Sequence, residues 1–224
     1  MIDMEVFKEK ICRLECTLDE LTDFSRNKGR DKTDFFSKYY SIETISNAIR
    51  LYLDGKITHQ YLSEWAYDYA LILEGYPKFN ADYHERPVHR KDLIEILILD
   101  VLEQLADYSY DVSHFGENPN DITGYERVLA NLDKIYSTRR DWNLYYCFDR
   151  YLDDNGKEQK TDAILIAFVN NDTKELYRTY SDSYCYTELD IKAVHLNYDA
   201  LHEKVDDLLG MGFTEPVEPS EDCE

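Results

Sequence analysis

The spacing of apolar residues changes near Ser137, and that change limits the chain to a mixed architecture. Before it, apolar side chains recur every three or four residues; after it come short apolar and aromatic runs separated by turn residues. The first pattern suits helices that bury one stripe, and the second suits strands. With 224 residues, 43% of them hydrophobic, the chain can bury a sizeable core in one large domain or two modest ones. The expected fold class is α+β. A bundle of about five helices over 1–138 is followed by an acidic β-rich region over 139–213, a small antiparallel β-meander with a closing helix. Residues 214–224 alternate acids with Pro216 and Pro219, a composition that cannot bury a core, so a disordered acidic tail is expected there.

Within the first part, Met4, Phe7, Ile11, Leu14, Leu18 and Leu21 form one stripe and predict a single long helix ending near Asn27 to Gly29. Ser41 is placed to cap a second helix carrying Ile42, Ile45, Ile49 and Tyr52 inward, stopped by Gly55. Thr58 is placed to cap a third, with Leu62, Trp65, Ala66, Tyr69 and Leu73 on one face, ending at Gly75 and Pro77. Asp92 to Asp107 is apolar on most sides and predicts a helix at the centre of the bundle. A fifth helix is expected from about Asp121 to Tyr136. In the second part, Asn143 to Tyr151, Ala163 to Val169 and Glu175 to Tyr180 read as strands, and Ile191 to Leu196 as a possible fourth. Asp153 to Gly156 and Asn170 to Asp172 carry turn chemistry, and Tyr198 to Leu209 reads as the closing helix.

Charge narrows the partners. The chain has 46 acidic and 25 basic residues, a net charge of −21. Residues 1–40 are nearly neutral, whereas residues 141–224 hold 20 acids against 7 bases. Such a field repels nucleic acid and acidic membranes and attracts basic proteins. The 20 tyrosines add stiff contact surface with polar tips, the side chain favoured at interfaces. On one strand Tyr145, Asp149, Tyr151, Asp153 and Asp154 combine the two features. On a later stretch Asp182, Tyr184, Tyr186, Glu188 and Asp190 do so again, with alternate residues sharing a face if the segment is extended. These ten are the candidate partner-binding residues, and the same pattern also describes an ordinary solvated sheet face.

Catalytic and metal signatures are absent from the pattern. No GxSxG elbow, P-loop or glycine-rich dinucleotide motif occurs. Cys12, Cys16, Cys147, Cys185 and Cys223 have no CxxC pair or zinc spacing and suit reduced thiols. Asp82, His84, Glu85 and His89 cluster in one segment, but Arg86, Arg90 and Lys91 interleave with them and would repel a metal ion. The expectation is a non-enzymatic protein with no cofactor and no metal. No basic region followed by an apolar run opens the chain, and Leu93 to Leu105 is too short and too charged for a bilayer, so a cytoplasmic location is expected.

Tyr52-Leu53-Asp54-Gly55-Lys56-Ile57-Thr58, Tyr61-Leu62-Ser63-Glu64-Trp65-Ala66 and the Leu93 to Leu105 helix together resemble the helical immunity proteins of bacterial toxin systems, of the colicin D immunity type. The resemblance covers residues 41–107. It implies a small acidic protein that blocks the active site of a cognate toxin nuclease, which is cationic because it holds phosphates. The β-rich half departs from that compact type, so no individual residue is carried over. A phage-encoded DNA-mimic inhibitor of a host defence complex, anti-CRISPR or anti-restriction, would use the same negative surface.

Overall fold

The computed structural model describes residues 4–26, 35–74, 93–116, 122–152, 155–181 and 192–215. The fold is α+β, with helices first, then a four-stranded sheet and a closing helix. The chain divides into two compact units, Met1–His89 with Glu95–Leu132, and Arg90–Ile94 with Asp133–Glu224. Among the described residues no helix is long and apolar enough to cross a membrane.

The first unit opens on a correction. In place of one long helix there are two, α1 (Met4–Cys12) and α2 (Leu18–Arg26). α1 closes in a Schellman turn, in which the Glu15 amide donates to the Lys10 carbonyl at 2.9 Å and the Leu14 amide to the Ile11 carbonyl at 3.2 Å. Leu14 takes the left-handed position with φ 57°, normally a glycine site. Thr17 and Glu20 then form a reciprocal capping box. The Glu20 amide donates to the Thr17 hydroxyl at 3.2 Å, and the Thr17 amide to the Glu20 carboxylate at 2.8 Å. The stripe survives the break because Phe7 and Phe24 stack face to face, ring centroids 4.3 Å apart, and Lys10 pairs with Glu20.

α3 (Phe36–Tyr39) leads to α4 (Ile42–Leu53), where the Ser41 hydroxyl accepts the Thr44 amide hydrogen as expected. Gly55, at φ 69°, ends α4 in a second Schellman turn. Thr58 caps α5 (His59–Glu74) by accepting from the Tyr61 amide at 3.1 Å. The expected end at Gly75 and Pro77 lies outside the described residues. α6 (Leu93–Phe115) continues about two turns beyond Asp107, and α7 is Ile122–Ser137. Tyr108, in the added turns of α6, is buried and its hydroxyl meets that of Tyr52 at 3.2 Å.

α5 organises the breaks in the preceding chain. Tyr61, Trp65 and Tyr69 follow one another at a spacing of four, so they line one face. The Tyr61 hydroxyl donates to the Cys16 carbonyl at 2.8 Å, the Trp65 indole to the Ile11 carbonyl at 2.9 Å, and the Tyr69 hydroxyl to the Tyr39 carbonyl at 2.8 Å. Tyr69 also accepts from the Ser41 amide at 3.0 Å. From α4, Thr44 donates to the Cys12 carbonyl at 3.2 Å. Each contact satisfies a backbone group exposed where a helix stops, which is why buried tyrosine and tryptophan fit where phenylalanine would not.

In the second unit, β1 (Asn143–Leu152), β2 (Glu158–Asn170), β3 (Glu175–Ser181) and β4 (Lys192–His195) form one sheet in the order β3-β2-β1-β4. The first three are the antiparallel meander. β4 instead pairs parallel with β1, from Asn143 opposite Lys192 to Tyr146 opposite His195, so the sheet is mixed. The β2–β3 turn is held by Asn170, whose side-chain oxygen accepts the amides of Asp172 and Thr173. α8 (Tyr198–Gly210), capped by Asn197, covers one face. Its Leu201, Val205 and Leu208 pack with Cys147, Ala167, Val169, Leu176 and Phe213. Leu144, Ile164, Ile166 and Phe168, on the opposite face, are buried as well. A sheet buried on both faces explains the unbroken apolar run of β2.

Thr214 and Glu215, assigned from composition to the tail, pair with β3 instead. The Leu176 amide donates to the Thr214 carbonyl at 3.1 Å, and the Thr214 amide to the Lys174 carbonyl at 2.9 Å.

Candidate functional site

Only part of the surface expected from the sequence falls in the described structure. Tyr145, Asp149 and Tyr151 lie on β1. Asp153, Asp154, Asp182, Tyr184, Tyr186, Glu188 and Asp190 lie outside the described residues, as do Asp82, His84, Glu85 and His89. Tyr145 is half-buried against the α8 layer, with the Lys204 ammonium 5.4 Å from its ring centroid. It works there as packing. Asp149 is half-buried at the register shift between Phe148 and Arg150, and Tyr151 stands opposite Gln159.

The outward face of α8 presents the charge more openly. Its inward residues recur as Leu201, Val205 and Leu208, which leaves Asp199, Glu203, Asp206 and Asp207 exposed to solvent. The spacing of four, three and one places these carboxylates along one side of the helix. Leu209 and Met211 follow at its end, Met211 being 68% exposed. Asp206 and Asp207 lie near the helix C-terminus, where the macrodipole is negative, and the last turn holds no basic residue to offset it. Each such carboxylate costs roughly 0.3–1 kcal/mol in stability.

Bases of the same unit contact its own groups. Lys134 pairs with Glu175 and holds that carboxyl below the usual carboxylate range, helped by the Thr173 hydroxyl. Arg178 grips Glu215 through two nitrogens, Nη2 at 2.9 Å from Oε2. Lys174 lies 4.6 Å from the Phe213 ring centroid. Cation and carboxylate are thereby segregated, with these bases tied to internal partners and the α8 acids facing water.

The helical unit offers a contrast in reactive groups. Burial pushes the Cys16 thiol up to about 12 and also raises Cys12. Both thiols stay protonated at neutral pH, the wrong form for a nucleophile or a metal ligand. Among the described residues no group of histidine, cysteine and carboxylate side chains is arranged to hold a metal ion.

No family model, curated protein or solved structure matches this chain. The α8 face therefore stands on its own geometry. Its signal in the sequence was the i, i+4, i+7 run of acids opposite Leu201, Val205 and Leu208. The alternating tyrosines and acids of the strands drew the assignment away from it.

Proposed function

We propose that this protein is a non-enzymatic acidic binding protein that neutralises a basic partner, with the α8 face as a main contact surface. The observation that supports this most directly is the set of exposed carboxylates on α8, two of them retained where the helix dipole disfavours them. A local cost without local compensation points to a gain elsewhere, and binding is the natural one. A cationic surface would supply the missing counter-charge to Asp206 and Asp207, and its apolar groups would cover Met211 and Leu209.

Among basic partners, the active site of a toxin nuclease fits best, because it must hold phosphates and so concentrates lysine and arginine. The protein then acts as an immunity protein in the cytoplasm, in line with the resemblance over residues 41–107. Affinity capture from host lysate tests this, comparing the parent with a variant in which Asp199, Glu203, Asp206 and Asp207 are changed to asparagine or glutamine. The parent is expected to retain a basic nuclease that the variant loses and that elevated salt releases. Equal capture by both proteins would sink the α8 assignment. Capture of a nucleic-acid-binding defence complex in place of a single nuclease would favour the DNA-mimic reading.

A further inference from the structure

β3 stands at one end of the sheet, so only one of its sides pairs with β2. The other side meets the chain's own Thr214, through an isolated parallel bridge to Glu175. Three contacts hold this short segment. Phe213 is buried in the core under α8, the Thr214 backbone exchanges hydrogen bonds with Lys174 and Leu176, and Glu215 is gripped by Arg178. Gly212, at φ 85°, turns the chain from α8 onto the strand. The next residue, Pro216, has no amide hydrogen with which to continue a ladder, and Pro219 and the acids Glu218 and Glu221 follow. Proline and charge beside an edge strand are the devices by which sheets avoid pairing with one another.

We propose that Phe213–Glu215 is a strap that guards the outer edge of β3 against pairing with a second copy of this chain. β3 itself favours such pairing. Its Glu175-Leu176-Tyr177-Arg178-Thr179-Tyr180-Ser181 sequence is rich in strand-forming residues and carries one charge of each sign. In antiparallel self-pairing centred between Leu176 and Tyr177, Glu175 of each copy stands opposite Arg178 of the other, giving two cross-strand ion pairs. In the closed form Arg178 is held by Glu215 and the Leu176 amide by Thr214, so the groups that would join two copies are occupied within one.

The test uses the full chain carrying Thr214→Pro and Glu215→Lys, which removes one strap hydrogen bond and turns the Arg178 clamp into a repulsion while leaving Phe213 in place. Exchange of the Leu176 amide hydrogen is expected to accelerate about tenfold or more. Light scattering should show the mass doubling relative to the parent as concentration rises. Adding Arg178→Glu sets like charges opposite each other in the pairing and should return the parent's mass. Glu215→Lys alone, which leaves every backbone bond intact, should give a smaller shift in the same direction. Accelerated exchange at Leu176 with an unchanged mass would overturn the proposal. So would unchanged exchange, because the strap would then not be what covers the edge.

Discussion

The two units use polar groups in opposite directions. In the helical unit Tyr61, Trp65 and Tyr69 point their polar tips inward, onto carbonyls left open where α1, α2 and α3 break. In the sheet unit the polar excess points outward along α8, while neighbouring bases are held by Glu175, Glu215 and two aromatic rings. A high tyrosine count therefore does not by itself mark an interface. Several of these tyrosines are struts of the fold, and the surface suited to a partner is distinguished by exposed carboxylates.

The contrast breaks most severely at Trp65. Trp65→Ala should destabilise the helical unit by about 3–5 kcal/mol, through the cavity it leaves and the loss of the indole donor, read as a fall in the denaturant midpoint. Tyr69→Phe keeps the ring and removes only the hydroxyl, leaving the Tyr39 carbonyl and Ser41 amide without it. A loss of about 1–3 kcal/mol is expected, and a change near zero would show that the strut role is wrong. In the other unit, Gly212→Ala places a β-carbon at φ 85° and should cost about 1–2 kcal/mol, since an L side chain is strained there. Smallest in stability but opposite in sign, Asp206→Asn with Asp207→Asn should stabilise the fold by roughly 0.3–1 kcal/mol per site while weakening partner capture.

Acid sharpens the same comparison. Lys10 holds Glu20, and Lys134 holds Glu175, below the usual carboxylate range. Because the folded value is depressed, each pair contributes stability above the unfolded carboxylate value, and that contribution fades as pH falls through the folded one. Stability monitored from neutral pH downward should hold until the unfolded value is reached and then decline. In Glu175→Gln the decline should be shallower.

Much of the architecture was legible because the period of apolar residues follows directly from which faces are buried. Ser41, Gly55 and Thr58 marked their helix ends through chemistry that needs no distant partner. The break between α1 and α2 was hidden because the three-and-four spacing runs on through Leu14 and Leu18. The Thr17-x-x-Glu20 capping box was the signal that would have revealed it. The parallel pairing of β4 could not be read from four residues, since strand direction depends on a distant partner. The burial of Tyr145 was hidden for the same reason, because it depends on α8 covering that face of the sheet.

The most direct measurement of the central claim is the salt dependence of affinity for the captured partner, compared between the parent and the chain with Asp199, Glu203, Asp206 and Asp207 neutralised. The parent's affinity should fall steeply as ionic strength rises, with most of the loss in the association rate, and the variant should start weak and change little. Equal affinity and equal salt dependence for the two proteins would contradict a role for the α8 face in binding.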